Sequence, residues 1–222
     1  MLTVNLADIV TLERSLLIQA HVKSMKDPCE VDINDAGNYL FDVISNILYF
    51  SKIEAGMMEI FNNVVQLKSS IDECLIMVQE RIDRLELNLS VHIVEDLPSL
   101  VADRTRIKEI ILNLLSNSEK FILKGVSTEV RATINDLGPH KIFAKDIGFG
   151  IVKEDIRLVL QPFGQARENF IDTHEGTGLG LSLVNHLMEM HQGTIEIKSQ
   201  LNQGICVTLC FPASRVQSEL KA

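Results

Sequence analysis

Hydrophobic residues in the first quarter of the chain recur every three or four positions, which is the spacing of helices. Residues 2–25 are predicted to form one helix, which the break "KDPCE" at 26–30 ends, and a second helix runs on to Gly56. The second helix carries a seam of apolar or small residues: Ile33, Gly37, Leu40, Ile44, Ile47 and Ser51. Two antiparallel helices with such seams cannot bury both faces alone, so we expect residues 1–56 to pair with a second copy as a four-helix bundle.

The pattern changes after residue 56, where strand-like segments alternate with amphipathic helices. Helices are predicted over 67–85, 103–122, 153–161 and 179–191, the last one capped by Gly193. Strands are predicted over 58–67, 86–97, 127–136, 140–148 and in a final hairpin over 194–212. The fold class is therefore α+β: a helical hairpin over 1–56, an α/β sandwich with its helices on one face of the sheet over 57–213, and a tail over 214–222.

Composition restricts the classes of function. The formal net charge is −9, which argues against nucleic acid as a partner, and 46% hydrophobic residues indicate a globular chain. No apolar run approaches the roughly 20 residues that cross a membrane, and no signal-peptide pattern is present. The four cysteines lack C-x-x-C spacing, and we expect them to be free thiols. We expect a cytoplasmic chain without membrane contact, or the cytoplasmic part of a longer membrane receptor.

Two asparagines and a lysine share one face of the helix predicted over 103–122. Asn113 and Asn117 are one turn apart, and Lys120 follows on the same side. An amide oxygen can bind Mg²⁺ and an ammonium can neutralise phosphate, so this face suits a magnesium-phosphate site. A polar face turned to water is the alternative.

Two glycine motifs follow. Asp146 ends a strand and begins D-x-G-x-G with Gly148 and Gly150, where the carboxylate could accept a hydrogen bond from an exocyclic amine such as that of adenine. A strand-end turn is the alternative. The second motif, "GTGLGL", precedes a helix whose first amides can bind an anion. Its residues are Gly176, Thr177, Gly178, Leu179, Gly180 and Leu181.

The segment between the two glycine motifs, "QPFGQARENFIDTHE", has the length of a lid, with Phe163 and Phe170 as possible anchors. The "GTGLGL" spacing matches neither a dinucleotide fingerprint nor a Walker A loop, because no strand precedes it and no Lys-Ser or Lys-Thr follows.

The ordered set of motifs is more specific than any one of them. N-x-x-x-N-x-x-K-F, D-x-G-x-G, P-F-G-Q and G-T-G-L-G-L, in this order, resemble the ATP-binding domain of sensor histidine kinases, within the superfamily that also holds gyrase, Hsp90 and MutL. The resemblance covers roughly residues 31–213. The segment "DINDAGNYLFDVISNILYFSKIEAGMMEI" is similar to the dimerisation and phosphotransfer hairpin of those kinases, above all the hybrid and cell-cycle kinases of α-proteobacteria.

The resemblance implies a role for each motif residue, with ATP and Mg²⁺ as cofactors. Asn117 would bind Mg²⁺, Lys120 would contact phosphate, and Phe121 and Phe163 would line the nucleotide pocket. Asp146 would accept the adenine amine beside Gly148 and Gly150. Asn113 stands where the ATP-hydrolysing relatives have Glu, and an amide cannot act as a base toward water. The phosphate loop would comprise Gly176, Thr177, Gly178, Leu179 and Gly180.

The sequence departs from the family at the phosphate acceptor. A motif like H-E-L-R-T-P is absent, and alignment of "TVNLADIV" places the acceptor just before Met1. Asp172 stands where the lid usually has a cation, and Arg167 could replace that cation. His21 is a weak substitute for the acceptor, His174 could touch phosphate, and His191 falls where packing is the expected role.

The resemblance implies a histidine kinase core that binds Mg-ATP and transfers phosphate to a histidine in a phosphorelay, with a homodimer through residues 1–56 and a response-regulator receiver domain as partners. The alternative is a dimeric scaffold that docks a response regulator without catalysis. A serine kinase of the anti-sigma-factor type is disfavoured by the helical hairpin, and an ATP-hydrolysing clamp is disfavoured by Asn113.

Overall fold

The structure of the chain is a computed structural model, and it describes the residues after 57 in most detail. The described residues are 37, 40, 44–45, 48–49, 51–52, 55–121, 127–134, 140–166 and 177–217. The chain divides into two compact units, residues 1–57 and 58–222. Within the described residues, no helix is both long enough and apolar enough to cross a membrane.

The described residues of the first unit between 37 and 52 are helical. Two members of the predicted seam remain accessible, with Leu40 59% and Ile44 37% exposed. The first helix, the break at 26–30 and the seam positions Ile33 and Ile47 lie outside the described residues, so the helical hairpin stays a prediction.

A five-stranded mixed sheet is the centre of the second unit, with strand order β2-β4-β5-β7-β6. Edge strand β2 pairs parallel with β4, and the other pairs are antiparallel. The strands are β2 (Asn88–Ile93), β4 (Ser127–Ile134), β5 (His140–Asp146), β6 (Thr194–Gln200) and β7 (Gly204–Phe211). The strands predicted over 127–136 and 140–148 pair antiparallel, and so do the two strands of the final hairpin predicted over 194–212.

Three helices supply the apolar layer that packs on the sheet: α1 (Leu67–Arg84), α2 (Arg104–Phe121) and α4 (Gly180–Met190). The short helix α3 (Ile156–Val159) follows a 3-10 turn at Lys153–Asp155. Alternate strand residues face the helices, and their burial removes apolar surface from water. Fully buried side chains of this core are Ile71, Ile107, Ile110, Ile142, Leu187, Met188, Leu209 and Phe211. The predicted α+β sandwich is confirmed.

A second, three-stranded antiparallel sheet has the order β1-β3-β8. Its strands are β1 (Asn63–Val65), β3 (Ser99–Ala102) and β8 (Val216–Gln217). The strand predicted over 58–67 contains β1, whereas β3 and β8 were not predicted. Because Leu100 pairs with Val216, the folded unit continues into the segment 214–222, which was predicted to be a tail.

The end of α4 differs from the predicted glycine cap. Gln192 has the positive φ of 57°, and its N–H bonds to the Glu189 carbonyl at 2.8 Å. The Gly193 N–H bonds to the Met188 carbonyl at 2.8 Å, which completes a Schellman motif. Gly193 is needed for space instead, since a Cβ there would lie 2.5 Å from Met188 Cε and 2.8 Å from the Cys210 carbonyl oxygen.

Candidate nucleotide-binding site

The two asparagines of α2 face the start of α4, as their spacing predicts. A Cβ on Gly180 would lie 3.1 Å from Asn113 Oδ1 and 3.4 Å from Asn117 Oδ1. Asn113 is held from behind, because its Nδ2 donates to the Glu109 carbonyl at 2.9 Å. The structure therefore brings the asparagine motif and the last glycine of "GTGLGL" together, although Asn117 and Gly180 are 63 positions apart in the sequence.

Asn117 has a buried polar atom with no partner. Its Nδ2 is inaccessible to solvent and makes no hydrogen bond within the described part of the chain. A buried polar group without a partner costs about 1–3 kcal/mol, and a ligand can remove that cost. Rotation of the amide exchanges its donor and acceptor ends, and the acceptor end is a ligand type that Mg²⁺ accepts. The residues present therefore fit a magnesium-phosphate group at this point.

Asp146 is the last residue of β5, and one oxygen of its buried carboxylate already accepts hydrogen bonds from the backbone. Oδ1 accepts hydrogen bonds from the Gly148 N–H at 2.9 Å and the Ile205 N–H at 3.3 Å. Burial raises the pKa of Asp146 above its ordinary value, although both N–H donors act in the opposite direction. The other oxygen, Oδ2, remains able to accept a hydrogen bond from a ligand amine.

The loop after Asp146 is clamped by the turn between β6 and β7. Gly150 has φ of 71°, and a Cβ there would lie 2.1 Å from the Gln200 carbonyl oxygen. Gly204 has φ of 88°, and a Cβ there would lie 2.0 Å from the Asp146 carbonyl oxygen. The two backbones interlock where only glycine fits, and of the two predicted loop glycines it is Gly150, not Gly148, that has a positive φ.

Ser199 is a residue of this clamp that the sequence analysis missed. Its Oγ accepts the Ile151 N–H at 2.7 Å and donates to the Gly204 carbonyl at 2.8 Å. The signal in the sequence is the Asn-Gln-Gly turn at 202–204, inside the hairpin predicted over 194–212. Nothing local in the sequence connects that turn to Asp146.

Phe163, near the start of the lid segment, and Gly178, just after that segment, approach each other through their backbones. Gly178 has φ of 68°, and a Cβ there would lie 2.7 Å from the Phe163 carbonyl carbon. Phe163 has φ of 62°, which a bulky L residue rarely adopts, and its side chain is 59% exposed. Gly164 lies tightly against the Leu158 carbonyl, where no Cβ could fit. The P-F-G-Q and G-T-G-L-G-L motifs thus form one structural unit.

The remaining predicted site residues differ in how far the structure describes them. Leu179 is buried at 1% exposure, while Thr177 is half-buried. Lys120 and Phe121 lie in the last turn of α2, and their side chains are not described. Gly176, Arg167, Phe170, Asp172 and His174 lie outside the described residues. Their predicted roles remain predictions.

His191 is buried and structural in its contacts, as expected. Its Nδ1 lies 2.7 Å from the Leu187 carbonyl oxygen, and its Nε2 accepts the Asp103 N–H at 3.2 Å. Burial lowers the pKa of His191, which keeps the ring neutral. No group of three or more His, Cys, Asp or Glu side chains that could hold a metal occurs within the described residues.

The fold and the glycine and asparagine motifs define a nucleotide-binding α/β sandwich, and comparison with known proteins identifies its family. The family model "Histidine kinase-, DNA gyrase B-, and HSP90-like ATPase" matches residues 102–215, just over half of the chain. The chain belongs to this family, which confirms the resemblance stated from its motifs.

The curated relatives include histidine kinases of α-proteobacteria. The chain is 36% identical over 186 residues to the non-motile and phage-resistance protein of Caulobacter vibrioides, covering 82% of this chain and 22% of that protein. It is 33% identical over 196 residues to the cell-division control histidine kinase PdhS of Brucella canis, covering 85% of this chain and 19% of PdhS. The chain therefore spans about a fifth of the length of these relatives.

Solved structures agree on the fold. The TM-score is 0.72 with full-length ShkA in complex with AMPPNP, at 21% identity, covering 82% of this chain and 38% of ShkA. It is 0.69 with the Acinetobacter baumannii histidine kinase AdeS, at 18% identity, covering 92% of this chain and 94% of that chain. At these identities the likeness establishes the fold alone.

Proposed function

We propose that the chain is a histidine kinase core that binds Mg-ATP and transfers the γ-phosphoryl group to a histidine in two-component phosphorelay signalling. The observation that supports this most directly is the approach of Gly180 to the amides of Asn113 and Asn117. It places two side chains able to bind metal or phosphate against the first turn of α4, where N–H groups are available to an anion. PdhS, a relative, is a cell-division control histidine kinase by name.

The two ends of the proposed pocket have different chemistry. Asp146 would accept the adenine amine through Oδ2, while its Oδ1 stays bonded to the backbone. Asn117 would bind the Mg²⁺, which, when present, neutralises phosphate charge and orients the γ-phosphoryl group. Lys120 and the loop 176–180 would hold the phosphates, and Phe121 and Phe163 would border the nucleotide.

Asn113 would direct the bound nucleotide toward transfer. Its amide is neutral and holds its Nδ2 against the Glu109 carbonyl, so it has no basic group to offer a water molecule. Transfer then requires a histidine, and the 222 residues contain no H-E-L-R-T-P-like segment. The acceptor would be supplied from outside these residues, on the same polypeptide or on a partner.

The proposed assembly is a homodimer through residues 1–56 that docks a receiver domain. The exposed seam residues Leu40 and Ile44 support pairing of this helix. Light scattering on the whole chain tests this, with a dimer expected at tens of micromolar concentration. A monomer at that concentration would count against the assembly.

Calorimetric titration with ATP, with and without Mg²⁺, tests the nucleotide site. We expect Mg²⁺-dependent binding that Asn117→Ala abolishes. Asn185→Ala is the matched control, because it makes the same substitution on α4 and removes only an exposed bond to Glu189 at 2.9 Å. Equal affinity in Asn117→Ala and wild type would refute the site assignment. Absence of binding in wild type would favour the docking scaffold instead.

A further inference from the structure

Helices α2 and α4 run antiparallel and touch at both ends. At one end Gly180, the first residue of α4, lies against Asn113 and Asn117 in the second half of α2. At the other end His191, just past α4, bonds to Asp103, just before α2. About ten residues, or roughly 15 Å of helix, separate the two contacts on each helix. The distant contact can therefore control how the two helices are aligned at the proposed site.

Both ring nitrogens of His191 are committed. The Leu187 carbonyl, 2.7 Å from Nδ1, can only accept, so Nδ1 carries the proton. Nε2 is then an acceptor, and it takes the Asp103 N–H at 3.2 Å. The ring edge packs against Phe211 with centroids 6.1 Å apart and planes at 82°, and His191 is fully buried. These contacts fix the ring in one orientation.

Asp103 is the residue that fixes the start of α2. Its Oδ1 caps the helix by accepting the N–H groups of Thr105 at 2.9 Å and Arg106 at 3.2 Å. Its Oδ2 accepts the Phe61 N–H at 3.0 Å. A side chain that holds the Asp103 N–H therefore holds the first turn of α2, and His191 does so from the end of α4.

We propose that His191 is a positioning residue that sets the alignment of α4 on α2, and through it the spacing between Gly180 and the amides of Asn113 and Asn117. The proposal rests on the proposed function for its effect on nucleotide, because those amides are the proposed magnesium-phosphate ligands. The alignment itself is a property of the protein without nucleotide, and it is testable separately.

Two substitutions separate the two bonds of the ring. His191→Gln places an amide oxygen near the Nε2 position and keeps an acceptor for the Asp103 N–H. His191→Asn places an amide near the Nδ1 position, keeps a donor for the Leu187 carbonyl, and leaves the Asp103 N–H buried without a partner. Phe211→Leu is the stability control, because it removes the ring-edge contact and keeps both hydrogen bonds.

The first measurement is made on the full chain without nucleotide, by ¹⁵N correlation spectra. We expect the Gly180 backbone amide and the side-chain amides of Asn113 and Asn117 to shift in His191→Asn and to stay in place in His191→Gln and Phe211→Leu. Unmoved resonances in His191→Asn would overturn the proposal. Equal shifts in His191→Asn and Phe211→Leu would also overturn it, because general loosening would then explain them.

The second measurement is titration of the same variants with Mg-AMPPNP. We expect His191→Asn to weaken binding about fivefold or more, while His191→Gln and Phe211→Leu stay within about twofold of wild type. Loss of affinity that follows melting temperature across all three variants would contradict a positioning role. If the wild-type protein does not bind Mg-AMPPNP, the proposed function is refuted. The spectra then still show whether His191 sets the alignment of α4 on α2.

Discussion

Gly180→Ala separates stability from binding at the point where α2 and α4 meet. Gly180 begins α4 and has no positive φ, so alanine fits its backbone. Alanine is favoured over glycine in a helix by about 0.5–1 kcal/mol, partly because the unfolded chain loses freedom. The added methyl would lie 3.1 Å from Asn113 Oδ1, which requires that amide to move by a fraction of an ångström, and 3.4 Å from Asn117 Oδ1, which is ordinary van der Waals contact.

The helix preference of alanine should raise stability, whereas the crowding by its methyl group should weaken nucleotide binding. Asn113 resists the movement because its Nδ2 is bonded to the Glu109 carbonyl at 2.9 Å. The displaced Asn113 amide and the methyl, which also contacts Asn117, would together narrow the proposed phosphate space. We expect an unchanged or higher free energy of unfolding, by up to about 1 kcal/mol. We expect Mg-ATP affinity to fall about tenfold, or about 1.4 kcal/mol.

Urea unfolding and calorimetric titration on the same preparations measure both quantities. Gly178→Ala is the comparison, because, unlike Gly180→Ala, it should be destabilising: Gly178 has φ of 68°, and a Cβ there would lie 2.7 Å from the Phe163 carbonyl carbon. Wild-type affinity in a stable Gly180→Ala would refute the reasoning, because the nucleotide then could not use the space between Gly180 and the two amides.

Three further predictions follow from buried polar groups. Burial raises the pKa of Asp146, so its ionised form lowers stability at neutral pH. We therefore expect Asp146→Asn to have a higher melting temperature than wild type at pH 7. We expect it to bind ATP about tenfold more weakly, because its Nδ2 would face the adenine amine. Burial lowers the pKa of His191, which lies beside Asp103 and Arg215. The free energy of unfolding should therefore fall as the pH drops below about 6.5. Urea titrations of His191→Gln should lack that decrease. Ser199→Ala leaves a backbone N–H of the clamp unpaired and should lower the free energy of unfolding by about 1–3 kcal/mol in the same assay.

Local patterns in the sequence predicted most elements of the sandwich. The helix over 103–122 was recognised from its apolar spacing, and the structure has it at Arg104–Phe121. The strand Ser99–Ala102 was missed because four residues give too short a pattern to separate from a loop. Its partner Val216–Gln217 was missed for a stronger reason. A two-residue strand exists only through its pairing with Leu100 and Ser99, which local sequence does not record.

The candidate site was predictable where its residues form motifs and unpredictable where it depends on distant contacts. The spacing of Asn113 and Asn117 indicates a shared face, and the structure places Gly180 against both. The contribution of Ser199 and Gly204 to the Asp146 loop depends on how β6 pairs with β7 and on how β7 pairs with β5. That pairing joins segments about sixty residues apart, and it is set by packing of the whole sheet rather than by local preference.

The clamp on the Asp146 loop also sets an order of events during protein synthesis. A growing chain emerges from its N-terminus, so Asp146 leaves the ribosome well before Ile205 and Gly204, which hold its carboxylate and its backbone. Until the hairpin of β6 and β7 has emerged, the adenine end of the proposed pocket lacks one wall, and β5 lacks its neighbour β7 in the sheet. We therefore expect the proposed nucleotide pocket to be incomplete in the nascent chain until residues 204 and 205 have emerged.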